Sequence, residues 1–169
     1  MKFVVAGLGS IGRRHMRNLI AHGEKDLILY RTRKSTMPEE DLQGFPVETD
    51  LAAALAYHPD GVIVSNPTAM HLDVAIPAAK QGAAILLEKP ISHNMDRISE
   101  LAAAVKKSGA KVLVGFQYRF HPNLQKAKQL ISQGIIGRPV SFKVNWGEFL
   151  PGWHPWEDHR QSYAARQDL

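Results

Sequence analysis

The sequence predicts an α/β fold built on a doubly wound parallel sheet, and three observations carry that expectation. Apolar runs alternate with helix-patterned segments from Lys2 to Phe116. The runs GVIVS and AAILLE are continuously apolar, as strands covered on both faces must be. Gly7, Gly9 and Gly12 stand between the first run and the first helical segment, where a tight strand-to-helix turn belongs.

KFVVAGLG opens the chain as a strand ending in glycines, and IGRRHMRNLIAHG sets Ile11, Met16, Leu19 and Ile20 at roughly helical spacing. DLILY is a second strand. A polar stretch with Pro38 and Gly44 leads to a short helix at LAAALAY, and GVIVS, closed by Asn66 and Pro67, is the next clear strand. Thr68 is the expected N-cap of AMHLDVAIPAAKQG, which Pro77 is expected to bend or shorten. AAILLE, a helix through DRISELAAAVKKSG begun by Ser92 or Asn94, and the strand KVLVGF complete the alternation.

The pattern then changes. QYRFHPNLQKAKQLISQG reads as a long helix after Pro122, and RPVSFKVNWGEF puts Val140, Phe142, Val144 and Trp146 on one face of a half-exposed strand. The predicted organisation is a dinucleotide-binding domain over residues 1–118 followed at 119–169 by the start of an α+β domain.

Composition narrows the class. The 169 residues, 44% hydrophobic and 22% charged, suit a folded water-soluble chain and exclude disordered and fibrous classes. No apolar run approaches the ~20 residues of a membrane span, nor is a signal peptide recognisable, so a cytoplasmic location without membrane partners is expected. The absence of cysteine removes disulfides and thiolate metal sites, and no metal site is expected. The net charge of +5 is concentrated in residues 1–35, where eight Lys/Arg face only Glu24 and Asp26. Such a pole serves nucleic acid, a phosphorylated small molecule or solubility alone. Nucleic acid is disfavoured, because the pole coincides with the glycine turn and no nucleic-acid-binding pattern accompanies it.

The turn has the form G-x-G-x-x-G. Gly7 permits the turn, Gly9 lets backbone approach a diphosphate, and Gly12 allows close helix–strand packing. Ser10 and Ile11 open the helix whose free N–H groups suit phosphate oxygens. An acid about 20 residues onward commonly holds the ribose of NAD; here Tyr30 is followed by Arg31, Thr32, Arg33 and Lys34. Cations and a hydroxyl there favour the 2′-phosphate of NADP, with NAD as the alternative. Arg13, Arg14 and Arg17 are read as solvated, and His15 as a packing or hydrogen-bonding residue. Asn66 and Thr68 have the short polar groups that cap a helix or touch a ribose.

GLGSIGRRH, SNPTAMH at 65–71, EKP at 88–90 and VGFQYRFHP at 114–122 together resemble the Gfo/Idh/MocA family of NAD(P)-dependent sugar and cyclitol oxidoreductases, in that family's order and spacing. The resemblance implies a Rossmann-type sheet, hydride transfer on a sugar, amino sugar, cyclitol or related polyol, and a homo-oligomer formed through the second domain. It implies that Lys89 is the catalytic lysine beside the reacting carbinol, that the Lys89–Pro90 bond is cis, and that Glu88 contacts or orients the cofactor. It places Asn66, Pro67, Thr68 and His71 along the cofactor, and Gln117 and Arg119 near the nicotinamide or substrate; His121 is expected to pack. By the same resemblance the family's Asp-x-x-x-His acid/base lies beyond Leu169, so the chain is expected to be a fragment, and His154 and His159 are not promoted in its place. The alternative reading is a catalytically inactive dinucleotide-binding module with a sensing or partner-binding role. Trp146, Trp153 and Trp156 suit either a sugar ring or the core of a larger sheet.

Overall fold

The structure, a computed structural model, describes residues 1–32, 42, 44–152, 158–161 and 165. They fall into two compact units, Met1–Gly115 and Phe116–Gln167. The first unit is a six-stranded, wholly parallel sheet. Its strands are β1 Lys2–Ala6, β2 Asp26–Tyr30, β3 Val47–Glu48, β4 Gly61–Val64, β5 Ala84–Leu87 and β6 Val112–Val114. The spatial order β3-β2-β1-β4-β5-β6 is that of the doubly wound Rossmann fold, with the winding reversing between β1 and β4.

Register follows from which side chains must be buried. Val4 lies beside Ile28 and Val62, and Leu87 beside Val64 and Val114. Successive side chains alternate between the two sheet faces, so each face acquires its own core. Val4, Ala6, Ile28, Val62, Val64, Ile85 and Leu87 pack under the helices α2 Leu51–Leu55, α3 His71–Lys80 and α4 Ile98–Ser108. On the other face Val5, Leu27 and Leu29 pack with Leu8, Leu42 and Met16, the last on α1 Ser10–Ala21. Burying each of these side chains contributes ~1.5–3 kcal/mol. Towards β6 the α1 face lies open as an apolar groove of about 350 Å³ lined by Phe3, Leu19, Ile63, Leu86 and Leu113, among others.

Local signals explain most boundaries. Asp50 caps α2 by accepting from the Ala53 N–H at 2.9 Å, and Gly109, with φ +75°, closes α4. Three expectations are corrected. Thr68 does not cap α3; it opens the 3₁₀ turn Thr68–Met70, and Met70 takes the N-cap position without a side-chain bond. Pro77 does not shorten α3, which continues to Lys80; Asp73, whose carbonyl loses its helical donor, is on the exposed side. Ser92 and Asn94 form local turns, the Asp96 N–H donating to Asn94 Oδ1 at 3.2 Å, and α4 begins at Ile98. The two-residue strand β3 escaped the sequence reading because it is too short to show a period.

In the second unit α5, Pro122–Ser132, carries Pro122 in its first turn, and His121 Nδ1 accepts from the Asn123 N–H at 3.3 Å. The strand expected in RPVSFKVNWGEF is not formed: residues 138–149 make no ladder, and Val140 and Phe142 are 96% and 80% exposed. An alternating pattern specifies a strand only where a partner pairs with it, and none is present among the described residues. No helix among them is long and apolar enough to cross a membrane.

Candidate functional site

Three loops meet at the carboxyl ends of β1, β4 and β5, beside the point where the winding reverses. The first is the glycine turn. Gly7 has φ +88°, and a Cβ there would lie 2.4 Å from the backbone nitrogen of Asn66. A Cβ on Gly12 would lie 1.8 Å from the Gly7 carbonyl oxygen. The turn therefore folds back against its own helix and against the β4 loop as closely as backbone allows. Gly9, the N-cap of α1, faces open space within 4 Å. The first-turn N–H groups of Ser10, Ile11 and Gly12 follow, without intrahelical acceptors and at the positive end of the helix dipole.

Two residues missed in the sequence build this turn. Arg13, expected in solvent, is 2% exposed, and its Nε donates to the Leu8 carbonyl at 3.0 Å. That guanidinium stem fills the space behind the loop, whereas Arg14 and Arg17 are exposed as expected. Ser65 joins β1 to β4: its hydroxyl lies 2.9 Å from both the Ala6 and Gly7 carbonyl oxygens. Only the small-residue run at the strand end hinted at Ser65, and nothing marked Arg13 apart from its two basic neighbours.

The second loop is Asn66–Pro67–Thr68. Asn66 Nδ2 donates to the Met70 carbonyl at 3.0 Å, while its buried Oδ1 has no hydrogen-bond partner among the described residues. His71, expected against the cofactor, is 1% exposed, with Nδ1 at 2.8 Å from the Pro90 carbonyl oxygen and Nε2 at 3.0 Å from that of Asn66. Direct ligand contact is thus replaced by a role inside the fold: the ring ties the second loop to the third.

The third loop is Glu88–Lys89–Pro90, with the Lys89–Pro90 bond cis. The ladder ends as the Glu88 N–H donates to the Val64 carbonyl at 2.9 Å. Glu88 Oε1 meets His15 Nε2 at 2.8 Å, and Oε2 accepts from the Lys89 N–H at 3.3 Å. Burial pushes the Glu88 carboxyl up, but the bond and charge of His15 and the N–H and ammonium of Lys89 outweigh it, leaving the group below its ordinary value. Lys89 itself is exposed.

The basic turn after β2 is seen only in part. Tyr30 is half-buried, Arg31 is 6% exposed with its N–H donating to the Glu48 carbonyl at 3.0 Å, and Thr32 is exposed. Arg31, expected at a 2′-phosphate, is instead enclosed by the fold. Arg33 and Lys34 lie outside the described residues, as do Trp153, His154 and Trp156. Arg119 belongs to the second unit, exposed in the 3₁₀ turn Gln117–Phe120, its carbonyl accepting from Gln125 Nε2 at 2.7 Å. In that unit Tyr118 and Trp146 meet edge to face at 5.0 Å.

This sheet order, with a glycine turn at its first strand–helix junction, defines a Rossmann-type dinucleotide-binding domain. Residues 1–116 match the Gfo/Idh/MocA oxidoreductase family with its NAD-binding Rossmann fold, and the chain belongs to that family. It is 31% identical over 149 residues to the scyllo-inositol 2-dehydrogenase (NAD(+)) of Bacillus subtilis, covering 85% of this chain and 43% of that protein. To the inositol 2-dehydrogenase of Rhizobium meliloti it is 30% identical over 139 residues, 81% of this chain and 42% of that one. The WlbA dehydrogenase from Bordetella pertussis, solved with NADH and UDP-GlcNAcA, superposes with a TM-score of 0.71 at 26% identity, over 82% of this chain and 41% of its own. The chain thus spans less than half the length of these relatives.

Proposed function

We propose that this chain is the cofactor-binding portion of an NAD(P)-dependent oxidoreductase that moves a hydride to or from a sugar, amino sugar, inositol or related polyol. The observation that carries the reading is the convergence of the glycine turn, the Asn66–Thr68 loop and the Glu88–Pro90 turn on one crevice at the carboxyl edge of the sheet. The names of two relatives as inositol dehydrogenases, and the UDP-GlcNAcA held by the Bordetella dehydrogenase, support the substrate class.

The chain's residues fit a dinucleotide. Gly9 leaves room at the mouth of α1, and Ser10, Ile11 and Gly12 present N–H groups there for a diphosphate. The unpaired Oδ1 of Asn66 is an acceptor suited to a ribose hydroxyl. Pro67 and Thr68 complete that wall, and Glu88 orders the turn on the nicotinamide side. When bound, the nicotinamide supplies or accepts the hydride. The Lys89 ammonium would hydrogen-bond the reacting oxygen, stabilise negative charge on it and, in the reductive direction, give it the proton; in the oxidative direction the neutral amine would take that proton. Arg119 serves the substrate side. A homo-oligomer formed through the second domain belongs to the same reading.

Thr32, Arg33 and Lys34, with no acid at the end of β2, favour NADP(H). NAD(H) is favoured by the NAD(+) of the Bacillus enzyme's name and by the NADH of the Bordetella complex. Calorimetric titration of the chain with NADPH and with NADH decides. NADPH binding at least tenfold tighter, about 1.4 kcal/mol, supports the basic turn as the 2′-phosphate site. Tighter NADH binding removes that assignment, and binding of neither removes the cofactor reading.

A further inference from the structure

We infer that His15 and His71 are positioning residues that brace Lys89 from both sides, each tying one cofactor-facing loop to a residue next to the lysine. The inference rests on the reading of Lys89 given above. Lys89 is exposed, and the sheet ladder that could hold it ends one residue earlier, at Glu88. On its N-terminal side, His15 of α1 reaches the Glu88 carboxylate at 2.8 Å, both side chains being less than one-fifth exposed. Gly115 lies against that carboxylate: a Cβ there would stand 3.4 Å from its atoms. Glu88 is thus held between His15 and the backbone that follows β6. On the C-terminal side, His71 at the start of α3 reaches the Pro90 carbonyl at 2.8 Å.

Neither histidine is needed for packing alone. A leucine fills a similar volume without a polar group to satisfy, and a ring buried as deeply as His71 is tolerated because its N–H finds an acceptor. Carbonyl oxygens only accept, so the ring is a donor here, to Pro90 when Nδ1 carries the proton and to Asn66 when Nε2 does. His15 links the lysine to the helix that begins at the glycine turn; His71 links it to the Asn66–Thr68 loop. Ordering of either loop by a ligand is thereby transmitted to the residues flanking Lys89.

The test is a ¹H–¹⁵N spectrum of the whole chain with four variants, His15→Leu, His15→Gln, His71→Leu and His71→Gln, each also titrated with NADH and NADPH. The leucine variants are expected to shift the Lys89 and Ile91 amides while those of Val4 and Val62 stay in place, and to weaken dinucleotide binding roughly tenfold. The glutamine variants, which keep a donor, are expected to recover part of both effects. In the wild type, a protected His71 ring N–H with a nuclear Overhauser effect to Pro90 or Ile91 is expected; it decides the geometry if a leucine variant does not fold. Lys89 and Ile91 amides unmoved in both leucine variants, or a His71 ring N–H in free exchange with water, overturn the brace. If the wild type binds neither dinucleotide, the cofactor reading falls, and the brace is judged on the amides alone.

Discussion

Glu88 shows how a single group reports its surroundings. Its carboxyl lies below its ordinary value although burial pushes it the other way, because His15 and Lys89 favour the ionised form. A carboxyl lowered in the folded state stabilises the fold above its unfolded pKa, and that contribution is lost as pH falls through the lowered folded value. Carbon-detected titration of Glu88 is expected to give a midpoint below the ordinary one. In His15→Ala the burial remains while the bond goes, so the midpoint is expected to rise. A midpoint unchanged by the substitution removes His15 as the cause.

Two glycines of the same turn separate folding from binding at the scale of the element. Gly12 is pressed against the Gly7 carbonyl and the Ser65 hydroxyl, so Gly12→Ala must move backbone. A loss of about 3 kcal/mol is expected, read as a fall in Tm of roughly 6–12 °C. Gly9 has an ordinary φ of −72° and open space before it, so Gly9→Ala is expected to change stability by less than about 0.5 kcal/mol. Its methyl points where a diphosphate would lie, and weaker dinucleotide binding at unchanged Tm is the expected pair of results. Residues 138–149 carry the opposite lesson: Val140, Phe142, Val144 and Trp146 have the strand pattern, yet without a paired edge they remain exposed.

At the scale of the molecule, both core clusters are drawn from the first unit, between Val4 and Ala110. Every described strand lies there as well. The chain ending at Gly115 is therefore expected to fold alone, with a cooperative thermal transition and the far-ultraviolet dichroism of an α/β domain. A non-cooperative melt of that piece would mean that stability depends on residues beyond it.

Much of the architecture was legible because it depends on local chemistry. Continuous apolar runs announced β1, β2, β4, β5 and β6, and the glycine spacing placed the turn whose first and last glycines, Gly7 and Gly12, leave no space for a Cβ. The EKP motif marked Lys89, which is exposed just beyond the end of β5. Contacts made across the chain were not legible: His15 with Glu88 are 73 positions apart, His71 with Pro90 are 19, and Ser65 with Gly7 are 58. Arg13 read as a solvated cation and Arg31 as a 2′-phosphate ligand until packing enclosed them. The long strands and helices of the first unit and the residues of the glycine turn were legible locally, since period, apolarity and backbone freedom are properties of neighbouring residues. Which polar side chains are spent holding the three loops together became visible in the folded chain, because that depends on partners brought together by the sheet.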